Sequence, residues 1–154
     1  MSNQILAIDP GTYESAILRY NDGKIVEAGI HSNEECLRYL LDVEDLCDVA
    51  IEMIACYGMP TGKETFETCV WIGRFIQVLV PLPTTLVYRR DIKVYLCGSM
   101  KAKDGNVRQA LIDKLGPVGT KKKPGPCYGM HTHLWAALAV AVFAAETKVE
   151  PPPA

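Results

Sequence analysis

A chain of 154 residues, 49% of them apolar, is the size of one domain and can bury a sizeable core. Six cysteines without a C-x-x-C pair exclude a zinc ribbon, and an N-terminus lacking a basic stretch before an apolar segment argues for a reduced, cytoplasmic protein. The net charge of −2 disfavours a nucleic-acid binder only until the charges are placed: residues 89–123 hold ten basic side chains against three acids (+7), the rest six against fifteen (−9).

Such asymmetry builds either a phosphate-attracting face or a set of solvated helix faces, and charge alone leaves both open. Along the chain, "QILAID" is an apolar strand, Gln4–Asp9, that stops on a carboxylate before Pro10 and Gly11. Residues 15–20 form a half-buried strand, and "NDG" at 21–23 turns tightly into a third, residues 24–30, so three antiparallel strands lead the chain. "SNEECLRYLLDVE" is a helix capped by Ser32 or Asn33, with Cys36, Leu37, Leu40 and Leu41 on its apolar side. "CDVAIEMIA" is a fourth strand, apolar on both faces except for Glu52.

"CYGMPTGKET" is a loop, and residues 65–79 read as an amphipathic helix with Phe66, Cys69, Val70, Ile72, Phe75, Ile76 and Leu79 as its apolar positions. "PLPTTLVYRR" supplies a turn, a short strand and the start of the basic region. "DGNVRQALIDKLG" is a capped helix ending at Gly116, and "GTKKKPGPCYG" a flexible basic loop. "HTHLWAALAVAVFAAE" is the last helix. Its apolar run, residues 134–145, falls short of the roughly 20 residues of a membrane span; it is a buried helix. The expected organisation is one domain over residues 1–148 and a disordered Pro-rich tail at 149–154.

Asp9 and Glu52 each interrupt an apolar strand, and an unpaired carboxylate in a core costs several kcal/mol. Each either finds a local Arg, Lys or backbone amide, or the two converge at one sheet edge and hold a divalent cation through oxygen ligands. His131 and His133 open the last helix. A lone His there is commonly a cap or surface residue; as a ligand, His133 is the better placed because it lies nearer the helical face.

The strands "ILAIDPG" and "VAIE", the helix "FETCVWIGRFIQVL", the run "VYRRDIKVYLCGS" followed by a Lys-bearing capped helix, and a C-terminal "H-x-x-x-ALAVAV" resemble, in order and spacing, RuvC-like Holliday junction resolvases, especially short phage-encoded members. The resemblance covers residues 4–145. It implies an α/β, RNase H-like fold: a five-stranded mixed sheet, its first three strands antiparallel, with helices on both faces. It implies a metal-dependent endodeoxyribonuclease using two Mg²⁺ ions per site, with Mn²⁺ as a substitute, held by Asp9, Glu52 and His133. The family's second C-terminal ligand falls on Ala136, so that ligand is missing; Glu14, Asp104 or His131 could replace it only if the fold brings them close.

The same resemblance implies DNA contacts from Arg89, Arg90, Lys93, Lys101, Lys103, Arg108, Lys121, Lys122 and Lys123, with Lys101 or Lys103 beside the scissile phosphate. Tyr57 corresponds to an aromatic wedge at the branch point, or else packs on the adjacent helix. Helix 65–79 would form a two-fold homodimer. Implied partners are thus four-way and other branched DNA and a second copy of the chain, with no membrane and no small-molecule cofactor. Three alternatives stand beside this reading. One is a catalytically silent branched-DNA binder, suggested by Ala136. A second is an actin-like ATPase, whose first phosphate loop "IDPGTYESA" also resembles but for which no second loop is found. The third, a small RNase H-like nuclease acting on ribosomal RNA precursors, fits the apolar helix and basic stretch less well.

Overall fold

The computed structural model describes residues 4–44 and 47–147; the tail expected to be disordered lies outside them. Strands β1 (Gln4–Asp9), β2 (Glu14–Asn21) and β3 (Lys24–Ser32) form an antiparallel meander. The β2–β3 turn runs through Asp22 and Gly23, both at positive φ (47° and 80°), the geometry for which Asp-Gly is favoured. Helix α1 (Asn33–Leu41) follows, then β4 (Asp48–Met53), α2 (Lys63–Leu79) and β5 (Thr84–Tyr88). β4 pairs parallel to β1, and β5 parallel to β4, giving the sheet order β3-β2-β1-β4-β5. The chain closes with α3 (Arg89–Cys97), α4 (Asp104–Leu115) and α5 (His133–Thr147).

Strand periodicity sorts the core into two layers. Leu6, Ile8, Val49 and Ile51 face α1 and α2, where they meet Cys36, Leu40, Ile72, Phe75 and Leu79. Ile5, Ala7, Ala50 and Val87 face α5 on the other side. Helix α5 is buried all round from Leu134 to Val142, as its unbroken apolar run requires, and Ala7, Ala16 and Ala50 let it lie close on the sheet.

Two readings of the helices need correction. Helix α3 is absent from the sequence reading: in "RRDIKVYLC" Ile92, Val94 and Leu96 recur at every second residue, a strand-like period, and only Ile92 is buried. Leu41, Phe66 and Val70, read as core-facing, are each 63% exposed; the buried stripe of α2 is narrower and runs through Thr68, Ile72, Phe75 and Leu79.

Candidate active site

The two-residue period that builds the core also aims the acids. Asp9 follows Ala7 by two residues and Glu52 follows Ala50 by two, so both side chains emerge on the α5 face. The last residues that β1 and β4 pair with one another are Ile8 and Ile51, which puts Asp9 and Glu52 side by side at the ends of these parallel strands, Asp9 closing β1 and Glu52 one residue before the end of β4. Arg89 stands two residues after Val87 on the next strand's exit and joins them. Its Nε lies 2.9 Å from Glu52 Oε1, and its guanidinium reaches to within 3.6 Å of Asp104 at the start of α4. From the opposite side α5 delivers His133, whose Nδ1 is 3.0 Å from Asp9 Oδ2.

The turn after Asp9 is locked by polar groups that sequence reasoning read, at most, as a helix cap. Ser32 caps α1 by accepting from the Glu35 amide at 3.2 Å, which releases Asn33, wholly buried, for another task. Asn33 Nδ2 donates to the Gly11 carbonyl at 2.9 Å, and its Oδ1 accepts from Ser15 Oγ at 2.5 Å. Ser15 Oγ in turn accepts from the Gly11 amide at 3.1 Å. A Cβ at Gly11 would sit 2.3 Å from the Glu14 carbonyl oxygen, so this close approach demands glycine. The signal was present as a Ser-Asn pair at a helix start, but only the fold shows which of the two is the cap.

The electrostatics follow from burial. The Asp9 and Glu52 side chains are each 12% exposed and stand on neighbouring strands, close enough for the charge of one to act on the other. Desolvation pushes the Glu52 carboxyl up to about 7, against the pull of Arg89 and with the Asp9 charge adding to the rise. Asp9 is raised by burial too, opposed by His133 and Arg89. Glu52 Oε2 is buried with no donor aimed at it. It is satisfied only by keeping a proton to share with Asp9 or by meeting a cation.

Two neighbouring desolvated carboxylates, one with an orphaned oxygen, beside an imidazole, are a donor set that fits a hard divalent ion such as Mg²⁺. No group of three His, Cys, Asp or Glu side chains among the described residues is spaced as a ready-made cage. Mg²⁺ does not require one, since it is commonly held by one or two carboxylates with waters and phosphate oxygens. Asp9, Glu52 and Arg89 line a cavity of about 260 Å³ that also touches Tyr57. A second, of about 280 Å³, lies between Arg89, Asp104, Arg108, His133 and Ala136, its Trp135 wall covered by the Arg108 guanidinium 5.5 Å from the ring centre.

The remaining basic residues are spread around this centre. Arg90 lies 6.0 Å from the Tyr57 ring centre, and Tyr57 itself is 62% exposed, so the loop tyrosine does not pack away beneath α2. Lys101 and Lys103 are exposed in the turn between α3 and α4, and Lys93 is half-buried on α3. The Lys121, Lys122 and Lys123 loop, expected to be flexible, closes into a small hairpin. The Thr120 amide donates to the Lys123 carbonyl at 3.0 Å, and the Gly125 amide to the Val118 carbonyl at 2.9 Å. Of the possible replacements for a ligand at Ala136, Asp104 shares its cavity; Glu14 lies opposite Ser32 at the start of β2, toward the β3 edge of the sheet, and His131 hydrogen-bonds Thr132 outside the helix.

Superposed on solved structures, the chain aligns with Thermus thermophilus RuvC at a TM-score of 0.71 and 16% identity, covering 94% of this chain and 96% of that one. The fold is RuvC-like. A second structure, T. thermophilus RuvC in complex with Holliday junction substrate, aligns at a TM-score of 0.70 and 16% identity, covering 94% of each chain. No protein-family model and no curated protein sequence matches the chain. The RuvC-like sheet, with its first three strands antiparallel and helices on both faces, bears out the fold expected from the sequence.

Proposed function

We propose that the chain is a divalent-metal-dependent, structure-selective endonuclease that cuts four-way junctions and other branched DNA. One observation carries the reading: on a RuvC-like sheet, Asp9 and Glu52 meet at the exits of adjacent parallel strands, with His133 3.0 Å from Asp9. That a RuvC of the same fold has been solved with a Holliday junction substrate supports the choice of DNA.

Asp9, Glu52 and His133 would hold Mg²⁺, or Mn²⁺ in its place, as two ions per site. When bound, such ions activate a water and stabilise the departing 3′ oxygen of an in-line phosphodiester displacement. The chain's own groups prepare the ground. His133 fixes the orientation of Asp9, and Arg89 holds Glu52 before an ion arrives. Lys101 or Lys103 offsets charge developing on the scissile phosphate. Arg89, Arg90, Lys93, Arg108, Lys121, Lys122 and Lys123 supply backbone contacts, which recognise branch shape rather than sequence. Tyr57 acts as the wedge at the branch point. The exposed Phe66 and Val70 of α2 form the face of a two-fold homodimer, which presents two sites to strands of like polarity. A phage-type member working in the host cytoplasm fits this assignment, and among the described residues no helix is long and apolar enough to cross a membrane.

The test uses synthetic four-way junctions, three-way junctions and linear duplex in Mg²⁺ or Mn²⁺. Cleavage of branched substrates that disappears in Asp9→Asn and Glu52→Gln supports the nuclease; nucleotide hydrolysis without effect on DNA selects the ATPase. A second reading, a silent branched-DNA binder, is favoured by Ala136 and by the Arg89 guanidinium already seated on Glu52. Tight junction binding with no cut in either metal selects it.

A further inference from the structure

Arg89 lines both cavities of the site, the one with Asp9 and Glu52 and the one with Asp104, Arg108, His133 and Ala136. Its backbone is pinned, because buried Val87 precedes it by two residues and buried Ile92 follows it by three, so a change of partner falls to the side chain alone. The hold on Glu52 is incomplete. A guanidinium can grip a carboxylate through two parallel N–H bonds, yet here the bond runs from Nε to Oε1 at 2.9 Å, and the buried Oε2 has no hydrogen-bond partner. The same guanidinium extends Nη1 toward Asp104 Oδ1 at 3.6 Å. Side-chain exposure rises along this line from 12% at Glu52 through 32% at Arg89 to 82% at Asp104, a path for the cation from buried acid toward solvent. The second cavity, of about 280 Å³, suits an anion: Arg108, held over Trp135, and His133 line it together with Arg89, against the single carboxylate of Asp104.

We propose that Arg89 is a phosphate-operated latch: without DNA it sits on Glu52 and keeps a divalent ion off, and a backbone phosphate entering the cavity beside Arg108 draws it away. The proposal rests on the nuclease reading and adds to it an order of binding, DNA first and metal second. A guanidinium and a divalent ion cannot share Glu52 Oε1 at bonding distance, since two cations a few ångströms apart repel strongly in a desolvated cleft. A phosphodiester offers the guanidinium two acceptor oxygens in the fork geometry that Glu52 does not supply. Once Arg89 has turned, both oxygens of Glu52 lack a donor, and a buried carboxylate in that state requires a cation. An ion arriving before DNA would have to displace the guanidinium with only Asp104 to receive it, an exposed carboxylate whose pull solvent screens.

Ca²⁺, a divalent ion that takes oxygen ligands, is titrated calorimetrically into the full chain alone and into its complex with a four-way junction. The heat of the junction alone is subtracted, and a gel verifies that its strands stay uncut. Wild type is expected to bind Ca²⁺ on the order of tenfold more tightly in the complex, and by reciprocity Ca²⁺ is expected to tighten junction binding by the same factor. Arg89→Ala is expected to bind Ca²⁺ without DNA about as tightly as the wild-type complex does, and to lose most of the gain from the junction. Arg89→Gln, which keeps a hydrogen-bond donor for Glu52 but no charge, is expected to do the same and serves where the alanine variant does not fold. A junction-dependent gain that survives undiminished in a folded variant overturns the latch, because the phosphate then acts on the ion directly. Weaker Ca²⁺ binding by the variants than by wild type makes Arg89 a structural support and overturns it as well. Equal Ca²⁺ affinity of wild type alone and in the complex overturns the latch while junction binding stands. Failure of wild type to bind the junction at all overturns the nuclease reading, and the latch with it.

Discussion

Asp9 and His133 stand 124 positions apart in the chain and touch through a 3.0 Å contact between a carboxylate oxygen and Nδ1. The carboxylate is 12% exposed and the imidazole 68% exposed, so the buried partner is fixed and the accessible one orients it from the solvent side. His133→Ala is therefore expected to lower junction cleavage on the order of 10–100-fold, as loss of an orienting partner does at metal sites. Asp9→Asn is expected to take it below detection. Initial rates on a labelled four-way junction decide; an alanine variant as fast as wild type removes His133 from the site.

Arg89 is the resident counter-charge of Glu52. Removing it leaves a buried carboxylate without its donor, a loss of about 1–3 kcal/mol. The metal-free Arg89→Ala protein should accordingly melt several degrees below wild type, and Mg²⁺ should restore more of its Tm than it adds to wild type. Equal Mg²⁺ increments in the two proteins would show that ion and guanidinium do not compete for Glu52.

The acid pair makes stability depend on pH in a definite direction. Glu52 has an ordinary value of 4.5 and is raised to about 7 in the fold, chiefly by burial, and Asp9 is raised likewise. Between these values the folded chain binds more protons than the unfolded one. The stabilisation is complete below about 4.5 and is lost as pH climbs through about 7. Metal-free protein should thus lose Tm between pH 5 and pH 8, and Glu52→Gln should flatten that decline. A decline unchanged in the glutamine variant would mean that other groups cause it.

Binding to junctions should fall steeply with salt, because phosphate contacts dominate it. Neutralising Lys121, Lys122 and Lys123 together to Gln should reduce the slope of log affinity against log salt by roughly one unit for each phosphate these lysines neutralise. An unaltered slope would assign the lysine hairpin to solvent.

The exposed Phe66 and Val70 predict the oligomeric state. If the proposed dimer forms through this face, wild type should be dimeric by light scattering and a Phe66→Glu, Val70→Glu protein monomeric, with far-ultraviolet dichroism unchanged because neither side chain belongs to the buried stripe of α2. Identical masses for the two proteins would place the dimer face elsewhere.

Much of this molecule was legible in its residues. The alternation in "ILAID" and "VAIEM" and the unbroken run of α5 specify strands and a buried helix, because side-chain period and backbone geometry are local properties. That Asp9 and Glu52 are unusual was visible too, since a lone acid in an apolar strand needs compensation. What supplies it was not. Arg89 reads as one more member of a basic stretch, and only the parallel placement of β5 beside β4 turns it onto Glu52. Helix α3 was hidden because its apolar residues Ile92, Val94 and Leu96 alternate, so that a short stretch gives no helical period to read. Asn33 resembled a cap until Ser32 took that place and left it to hold Gly11. The sequence alone therefore determined every element but α3 and flagged the acids, because those depend on neighbours within a few residues. Which cation faces which acid was decided by the sheet order, because those pairs are joined only through space.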